Sequence, residues 1–167
     1  MKEEYKKQLL KAKINKKRIA HTVKLLRKMR KGDVDKKIHQ LHKNAFEKIN
    51  CLECANCCKT TGPLFTQKDI ARLAGHLNIS ELVFIEKYLR LDEDDDYVLQ
   101  SVPCPFLAAP TERPNDDNYC TIYEVRPKAC REYPHTDRVN QIGLLTLTLK
   151  NAQVCPAVAD IFEQIGN

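Results

Sequence analysis

The chain has 167 residues, 43% of them hydrophobic and 30% charged, with 5 Gly, 8 Pro, 8 Cys and a formal net charge of +6. That composition excludes a collagen, a mucin-like stalk and a disordered tail, and describes one domain with an appendage. A core at this length buries roughly 70% of the surface an unfolded chain exposes, so disulfide staples are not needed and the cysteines require another explanation. No run approaches the ~20 apolar residues of a membrane span. The charged start Met1-Lys2-Glu3-Glu4-Tyr5 is followed by no apolar core of a signal peptide, so the expected compartment is the reducing cytoplasm.

Residues 1–50 hold 17 Lys and Arg against 5 Asp and Glu, a surplus of +12, while the remainder holds 11 against 17, or −6. This contrast puts a compositional boundary near Asn50, between a basic helical arm (1–50) and a cysteine-rich domain (51–167). From Glu4 to Lys31 the apolar residues Tyr5, Leu9, Ala12, Ile19, Val23 and Leu26 recur at steps of three and four, interrupted only by Lys16, which predicts an amphipathic helix of about seven turns. Gly32 is expected to break it and Asp33 to cap a second helix carrying Val34, Ile38, Leu41, Ala45 and Ile49. The basic residues surround an apolar stripe, without interleaved aromatics or a known reader motif. A solvated face, suited to an acidic protein partner, is therefore favoured over nucleic acid or an anionic membrane surface.

Cys51-Leu52-Glu53-Cys54-Ala55-Asn56-Cys57-Cys58 places four sulfurs within eight residues. A C-x-x-C turn brings two Sγ atoms to one side of a tight loop, where both can bond a metal at about 2.3 Å. The first three cysteines match the C-x2-C-x2-C run of bacterial ferredoxins, but Cys58 follows at once and no Cys-Pro comes three residues later. Neighbouring side chains point apart, so Cys57 and Cys58 suit two different ions, or one ion and a supporting role.

Farther on, Thr66 and Asp69 open a helix with Ile70, Leu73, Ala74 and Leu77 on one face, and Ser80 starts another carrying Leu82, Ile85 and Leu89. The run Asp92–Asp96 lacks the alternating ligands and central glycine of a calcium loop and reads as a solvated turn. Cys104 lies between Pro103 and Pro105 in an extended segment, and Cys120 lies in a β-prone run beyond the polar loop Pro110–Asp117, so the two segments read as a short hairpin. Pro127 suits the first position of a short helix carrying Cys130, and Pro156 the start of a last helix through Ile165. His135 is a weaker ligand candidate, and the pair His39 and His42 has no third ligand nearby in sequence.

Three explanations compete for the eight cysteines: four disulfides, buried thiols, and metal or iron–sulfur ligation. The compartment argues against the first and the clustering against the second. Cys51, Cys54, Cys57, Cys58, Cys104, Cys120, Cys130 and Cys155 are therefore candidate ligands for zinc or a [4Fe-4S] cluster, enough for two centres. Arg126 and Arg131 are candidate cofactor-side residues, because a four-thiolate zinc site carries a formal charge of −2 that guanidinium groups would offset.

The run Cys51-x2-Cys54-x2-Cys57-Cys58, then Cys104-Pro105-Phe106-Leu107, then Cys120-Thr121-Ile122-Tyr123-Glu124-x-Arg126-Pro127-x2-Cys130-Arg131-x-Tyr133-Pro134, resembles the YkgJ-like cysteine-cluster family, a zinc- or iron-chelating CxxCxxCC domain. The resemblance covers about residues 46–160. It implies a cytoplasmic bacterial protein whose cysteines bind zinc or an iron–sulfur cluster. A similar signature in flagellin lysine N-methylases implies that iron–sulfur redox or radical-type enzyme chemistry is compatible with the scaffold, though this chain is much shorter and has no separate substrate domain. The expectation is a helix-rich α+β metal-binding protein with a short β hairpin, acting as a chelating module; an iron–sulfur enzyme and an interaction scaffold using the basic arm are the alternatives.

Overall fold

The computed structural model describes residues 1–108 and 118–166; the polar loop expected at Pro110–Asp117 lies outside them. The chain is a helix-rich α+β protein in two compact units, one formed by 1–54 with 134–167 and the other by 55–133. These units and the compositional boundary near Asn50 are different divisions of the chain, because one follows packing and the other charge.

The first unit is helical. It contains α1 (Glu3–Ile14), α2 (Lys16–Leu26), α3 (Lys31–Phe46), the single turn α4 (Cys51–Cys54), and, from the far end of the sequence, α9 (Gln141–Asn151) and α10 (Pro156–Ile165). The apolar stripe predicted for the basic segment is buried: Tyr5, Leu9 and Ala12, then Ile19, Val23 and Leu26, then Val34, Ile38 and Ala45. They form a core with Leu145, Val158, Ile161 and Phe162, as α10 packs on α1 and α3 while α9 packs on α2 and α3. Each such aliphatic or aromatic side chain contributes about 1.5–3 kcal/mol on burial.

Two boundaries differ from the sequence expectation. The first stripe is two helices broken at Asn15, whose φ of −90° and ψ of 19° lie outside the helical basin. Gly32 and Asp33 lie inside α3 instead of ahead of it. Gly32 occupies the first turn, where its N–H needs no partner within the helix, and Asp33 there meets the positive end of the helix dipole. The helix α9 carries Thr146 and Thr148 within its apolar run; Thr148 Oγ1 donates to the Leu144 carbonyl at 3.0 Å, which satisfies a hydroxyl that would otherwise disfavour the helix. Pro156 opens α10 as expected.

The second unit is built of short pieces: α5 (Asn56–Thr60), β1 (Leu64–Phe65), α6 (Gln67–His76), α7 (Glu81–Tyr88), β2 (Leu89–Leu91), β3 (Tyr97–Leu99), β4 (Leu107–Ala108), β5 (Tyr119–Cys120), a 3-10 turn (Tyr123–Val125) and α8 (Lys128–Glu132). The strands β1, β3 and β2 form an antiparallel sheet in that order, and β4 pairs with β5 with Leu107 opposite Cys120, the expected short hairpin. Thr66 caps α6 through a reciprocal box with Asp69, and Ser80 Oγ accepts from the Val83 N–H at the start of α7. The face of α7 differs from the expectation. Phe84 is fully buried and Leu82 is 73% exposed, because the side of the helix that meets Phe65 and Phe106 is the one carrying Phe84; the helix ends at Tyr88, and Leu89 belongs to a strand. Phe84 lies 6.1 Å from Phe65, 6.2 Å from Phe106 and 5.2 Å from Tyr88, ring centre to ring centre, so an aromatic stack forms the heart of this core. The acidic run closes the β2–β3 hairpin: Asp92 Oδ1 accepts from the N–H groups of Asp94 and Asp96, both at 3.0 Å, and Asp95 takes a left-handed φ of 60°.

Among the described residues no single helix is long and apolar enough to cross a membrane. Among these residues α9 and α10 reach that length and composition as a pair, and they are bent by 117°.

Candidate metal centre

The motif Cys51–Cys58 forms two short helices separated by Ala55, whose φ of 46° is left-handed. A non-glycine residue there costs roughly 1–2 kcal/mol. The eight cysteines divide between the units. Cys57, Cys58, Cys104, Cys120 and Cys130 belong to the second, and Cys51, Cys54 and Cys155 to the first.

In the second unit the N–H of Cys104 donates to the carbonyl of Cys58 at 2.7 Å, joining the motif to the segment before β4. The N–H of Thr121 donates to the Phe106 carbonyl at 2.9 Å, which brings Cys120 beside that segment. Cys130 lies on α8 as expected, while Cys104 precedes its strand. Burial pushes the Cys130 thiol up to about 12, and the charges of Cys58, Cys104 and Cys120 add to the shift. Burial also raises Cys104 to about 11, against the N–H groups of Phe106 and Leu107 and with help from Cys58 and Cys120. Cys120 is raised for the same first reason, with Cys58 contributing. The hydrogen bond with Cys57 brings Cys58 down to about 7, aided by its own N–H and by Lys59 and opposed by burial. The Cys130 thiol is thus raised, after burial, by thiols from three other segments.

Arg126 is the counter-charge of this group, since it lowers both Cys120 and Cys130. Its guanidinium lies over the Tyr123 ring, 3.8 Å from the centroid, and donates to the Tyr123 carbonyl at 2.6 Å. Tyr123 therefore has a role the sequence did not reveal, as the platform that orients Arg126. Arg131 donates to the Arg126 carbonyl at 2.6 Å and so acts on the same segment from behind.

A second unanticipated feature is the buried carboxylate of Asp69, 1% exposed. Its Oδ1 accepts from Arg72 at 2.6 Å and from the Lys128 N–H at 3.0 Å, while Arg72 also donates to the carbonyls of Val125 and Arg126. This clamp holds α6 to the turn that carries Arg126 and leads into Cys130. Burial alone would raise the Asp69 carboxyl, but hydrogen bonds from Thr66, Arg72 and the Lys128 backbone outweigh it and hold it at about 2. The capping-box spacing was legible in sequence; the long-range clamp was not.

In the first unit Cys155 is buried at the start of α10. Burial pushes its thiol up to about 12, the N–H groups of Val158 and Ala157 oppose this, and the charges of Cys51 and Cys54 add to it. His39 and His42 of this unit pair with the Arg138 carbonyl and the Thr136 hydroxyl, both at 2.8 Å, so they anchor the chain after Pro134. A shallow cavity lined by Gln8, Lys11, Ala12, Asn15, Ile19 and Glu163, among others, contains no cysteine.

Among the described residues no three histidine, cysteine or carboxylate side chains already stand at metal-binding geometry. Closing either thiol group on an ion therefore requires side-chain movement together with loss of the thiol protons. The donor chemistry nevertheless fits a thiophilic metal: soft sulfur ligands drawn from separate segments, most of them partly buried, with a guanidinium beside those of the second unit.

Residues 50–156 match the CxxCxxCC family, described as "Putative zinc- or iron-chelating domain". The chain belongs to this family. It is also 36% identical over 101 residues to the "Uncharacterized protein MJ0661" of Methanocaldococcus jannaschii, a match that spans 59% of this chain and 50% of that protein. The chain thus matches about half the length of that relative. No solved structure matches the chain significantly. The CxxCxxCC match begins ahead of Cys51 and ends just past Cys155, so it encloses all eight cysteines and draws on both compact units.

Proposed function

We propose that this CxxCxxCC protein is a non-catalytic chelator, holding zinc or the irons of an iron–sulfur cluster through the thiolates of Cys58, Cys104, Cys120 and Cys130. The observation that carries the reading is that backbone hydrogen bonds draw the segments of Cys58, Cys104 and Cys120 together, from the Cys104 N–H to the Cys58 carbonyl at 2.7 Å and from the Thr121 N–H to the Phe106 carbonyl at 2.9 Å, while these thiols add to the upward shift of Cys130 on α8. Four thiolates satisfy a tetrahedral zinc ion or the corners of a four-iron cluster. Arg126 offsets the surplus negative charge, Tyr123 and Arg131 orient it, and Cys57 donates to or accepts from the neighbouring Cys58 sulfur. The bound metal would supply cross-linking of these short elements and a store of ion for delivery.

Anaerobic purification followed by metal analysis and a visible spectrum tests the proposal. Expected is at least one zinc, or a brown chain with about four irons and four sulfides, with the content lowered in both C104S and C130S. Protein that emerges without metal, and takes up neither zinc nor iron on reconstitution, would show the reading to be wrong.

A further inference from the structure

The outward side of the first two helices carries apolar residues that the core does not use. Tyr5, Leu9 and Ala12 of α1, and Ile19, Val23 and Leu26 of α2, turn inward to the core that α9 and α10 close. Across the break at Asn15 the helical ladder continues: the Asn15 N–H donates to the Lys11 carbonyl at 2.9 Å and the Ile19 N–H to the Asn15 carbonyl at 3.0 Å. Leu10, Ile14 and Leu25 therefore share the opposite side, at steps of four and eleven residues, and are 58%, 74% and 50% exposed. One exposed leucine would need no explanation. Three apolar side chains in line over about 22 Å, at 1.5 Å per residue, form a narrow outward stripe.

The stripe is bordered by cations. Between Glu4 and Asp33 the chain has twelve Lys and Arg and no carboxylate. Lys11 turns aside to Glu163 at 3.1 Å and Arg27 to the Thr146 hydroxyl at 2.7 Å, but Lys7, Lys13, Lys17 and Lys24 are exposed. Among the described residues none of these four forms an ion pair. Lys13 and Lys17 stand four residues apart, where like charges repel along a helix. Carboxylates from outside would remove that repulsion, and apolar side chains between them would cover the stripe.

We propose that α1 and α2 present a docking face for an acidic amphipathic helix of another protein, whose apolar side chains meet Leu10, Ile14 and Leu25 and whose carboxylates meet the flanking lysines. The arrangement is that of two helices packed side by side, with an apolar seam and opposite charges on its margins. Other occupants fit less well. A basic helix lying on a membrane buries its main apolar face in lipid, but here that face is taken by α9 and α10, and the outward side has no Trp or Phe. Single-stranded nucleic acid calls for aromatic platforms, and Tyr5, the one aromatic residue before Phe46, is buried. A second copy of the chain offers α7, an acidic-ended helix with Leu82 exposed, but its eight residues span about 12 Å, half of the stripe. The face includes no thiol, so the proposal stands or falls apart from the chelating role.

The probe is a synthetic, fluorescently labelled peptide of about 18 residues, about 27 Å long as a helix, with leucines at helical spacing and glutamates elsewhere. It is titrated onto the full chain by anisotropy, and contacts are mapped from the amide shifts of isotope-labelled protein. Expected is saturable binding that shifts α1 and α2 and weakens about tenfold in both L10Q/I14Q and K13E/K17E. The same peptide with its leucines replaced by glutamine should bind about tenfold more weakly. All four substituted positions are exposed, so the variants should keep the native circular dichroism spectrum. Equal binding to the native chain and L10Q/I14Q, or equal binding of the two peptides, would reduce the face to solvated charge and overturn the proposal. So would shifts confined to other elements, or no binding at all. Phosphatidylserine vesicles that bind the native chain but not L10Q/I14Q would give the stripe to a membrane surface instead. A dimer in sedimentation that is lost in the same variant would give it to a second copy.

Discussion

The two compact units reach a core by opposite routes. The first, with 19 Lys and Arg against 9 Asp and Glu, draws on five helices of ten to sixteen residues whose apolar stripes interlock. The second, with 9 against 13, has among its described residues only two helices longer than five residues and strands of two or three. Its core is the aromatic stack around Phe84, and its periphery is held by one polar clamp at Asp69. The second unit also carries five of the eight cysteines. Where regular elements are too short to bury much apolar surface, the thiolate site proposed above would supply cross-links in their place. Metal should therefore matter more to the second unit than to the first.

Removing the metal is the largest test of that contrast. Structural zinc contributes on the order of 10 kcal/mol of apparent folding free energy, so chelation should strip hydrogen-exchange protection from residues 55–133 while α1, α2, α3, α9 and α10 stay protected. Uniform loss across the chain would show one cooperative block in place of two differently stabilised units.

Phe84→Ala removes the centre of the aromatic stack and should cost about 3–5 kcal/mol, read as a lowered denaturation midpoint. The same exchange map should show the loss confined to 55–133. Protection falling equally in both units would erase the distinction on the packing side.

Asp69 gives a pH-dependent version of the same comparison. Its folded carboxyl is held at about 2, below the usual carboxylate range, so its contribution is present above pH ~4 and is lost as pH falls toward 2. The shift corresponds to about 2 kcal/mol, so acid should loosen α6 and α8 more in the native chain than in D69N, which is already destabilised at neutral pH. Identical acid profiles for the two proteins would remove Asp69 from the account of the second unit's stability. The smallest effect concerns the junction: Ala55→Gly should relieve the left-handed backbone and stabilise the chain by about 1 kcal/mol, whereas a loss of stability would mean that the buried methyl outweighs the strain.

Much of the molecule was legible in one dimension because the signals are local. Helical periodicity marked α1, α2 and α3, side-chain caps at Thr66 and Ser80 marked α6 and α7, and prolines marked α8 and α10. The break at Asn15 and the inclusion of Gly32 in α3 were not legible, since a weak break and a tolerated glycine are decided by how neighbouring helices pack. Leu82 and Phe84 illustrate the same limit within α7: both are apolar, and only the position of the sheet and of Phe65 and Phe106 selects which is buried.

By itself the sequence determined that this is a helix-rich α+β member of a cysteine-cluster family, because periodicity, capping residues and the C-x-x-C-x-x-C-C spacing act within a few residues of one another. Only the tertiary structure decided that the Cys104 N–H meets the Cys58 carbonyl, that Arg126 stacks on Tyr123 while Arg131 donates to the Arg126 carbonyl, and that Lys2 and Tyr5 reach Glu53 in the turn next to Cys54. The first and last of those relations join residues tens of positions apart. They depend on the burial and hydrogen bonds that form when the chain closes on itself, and no local spacing encodes them.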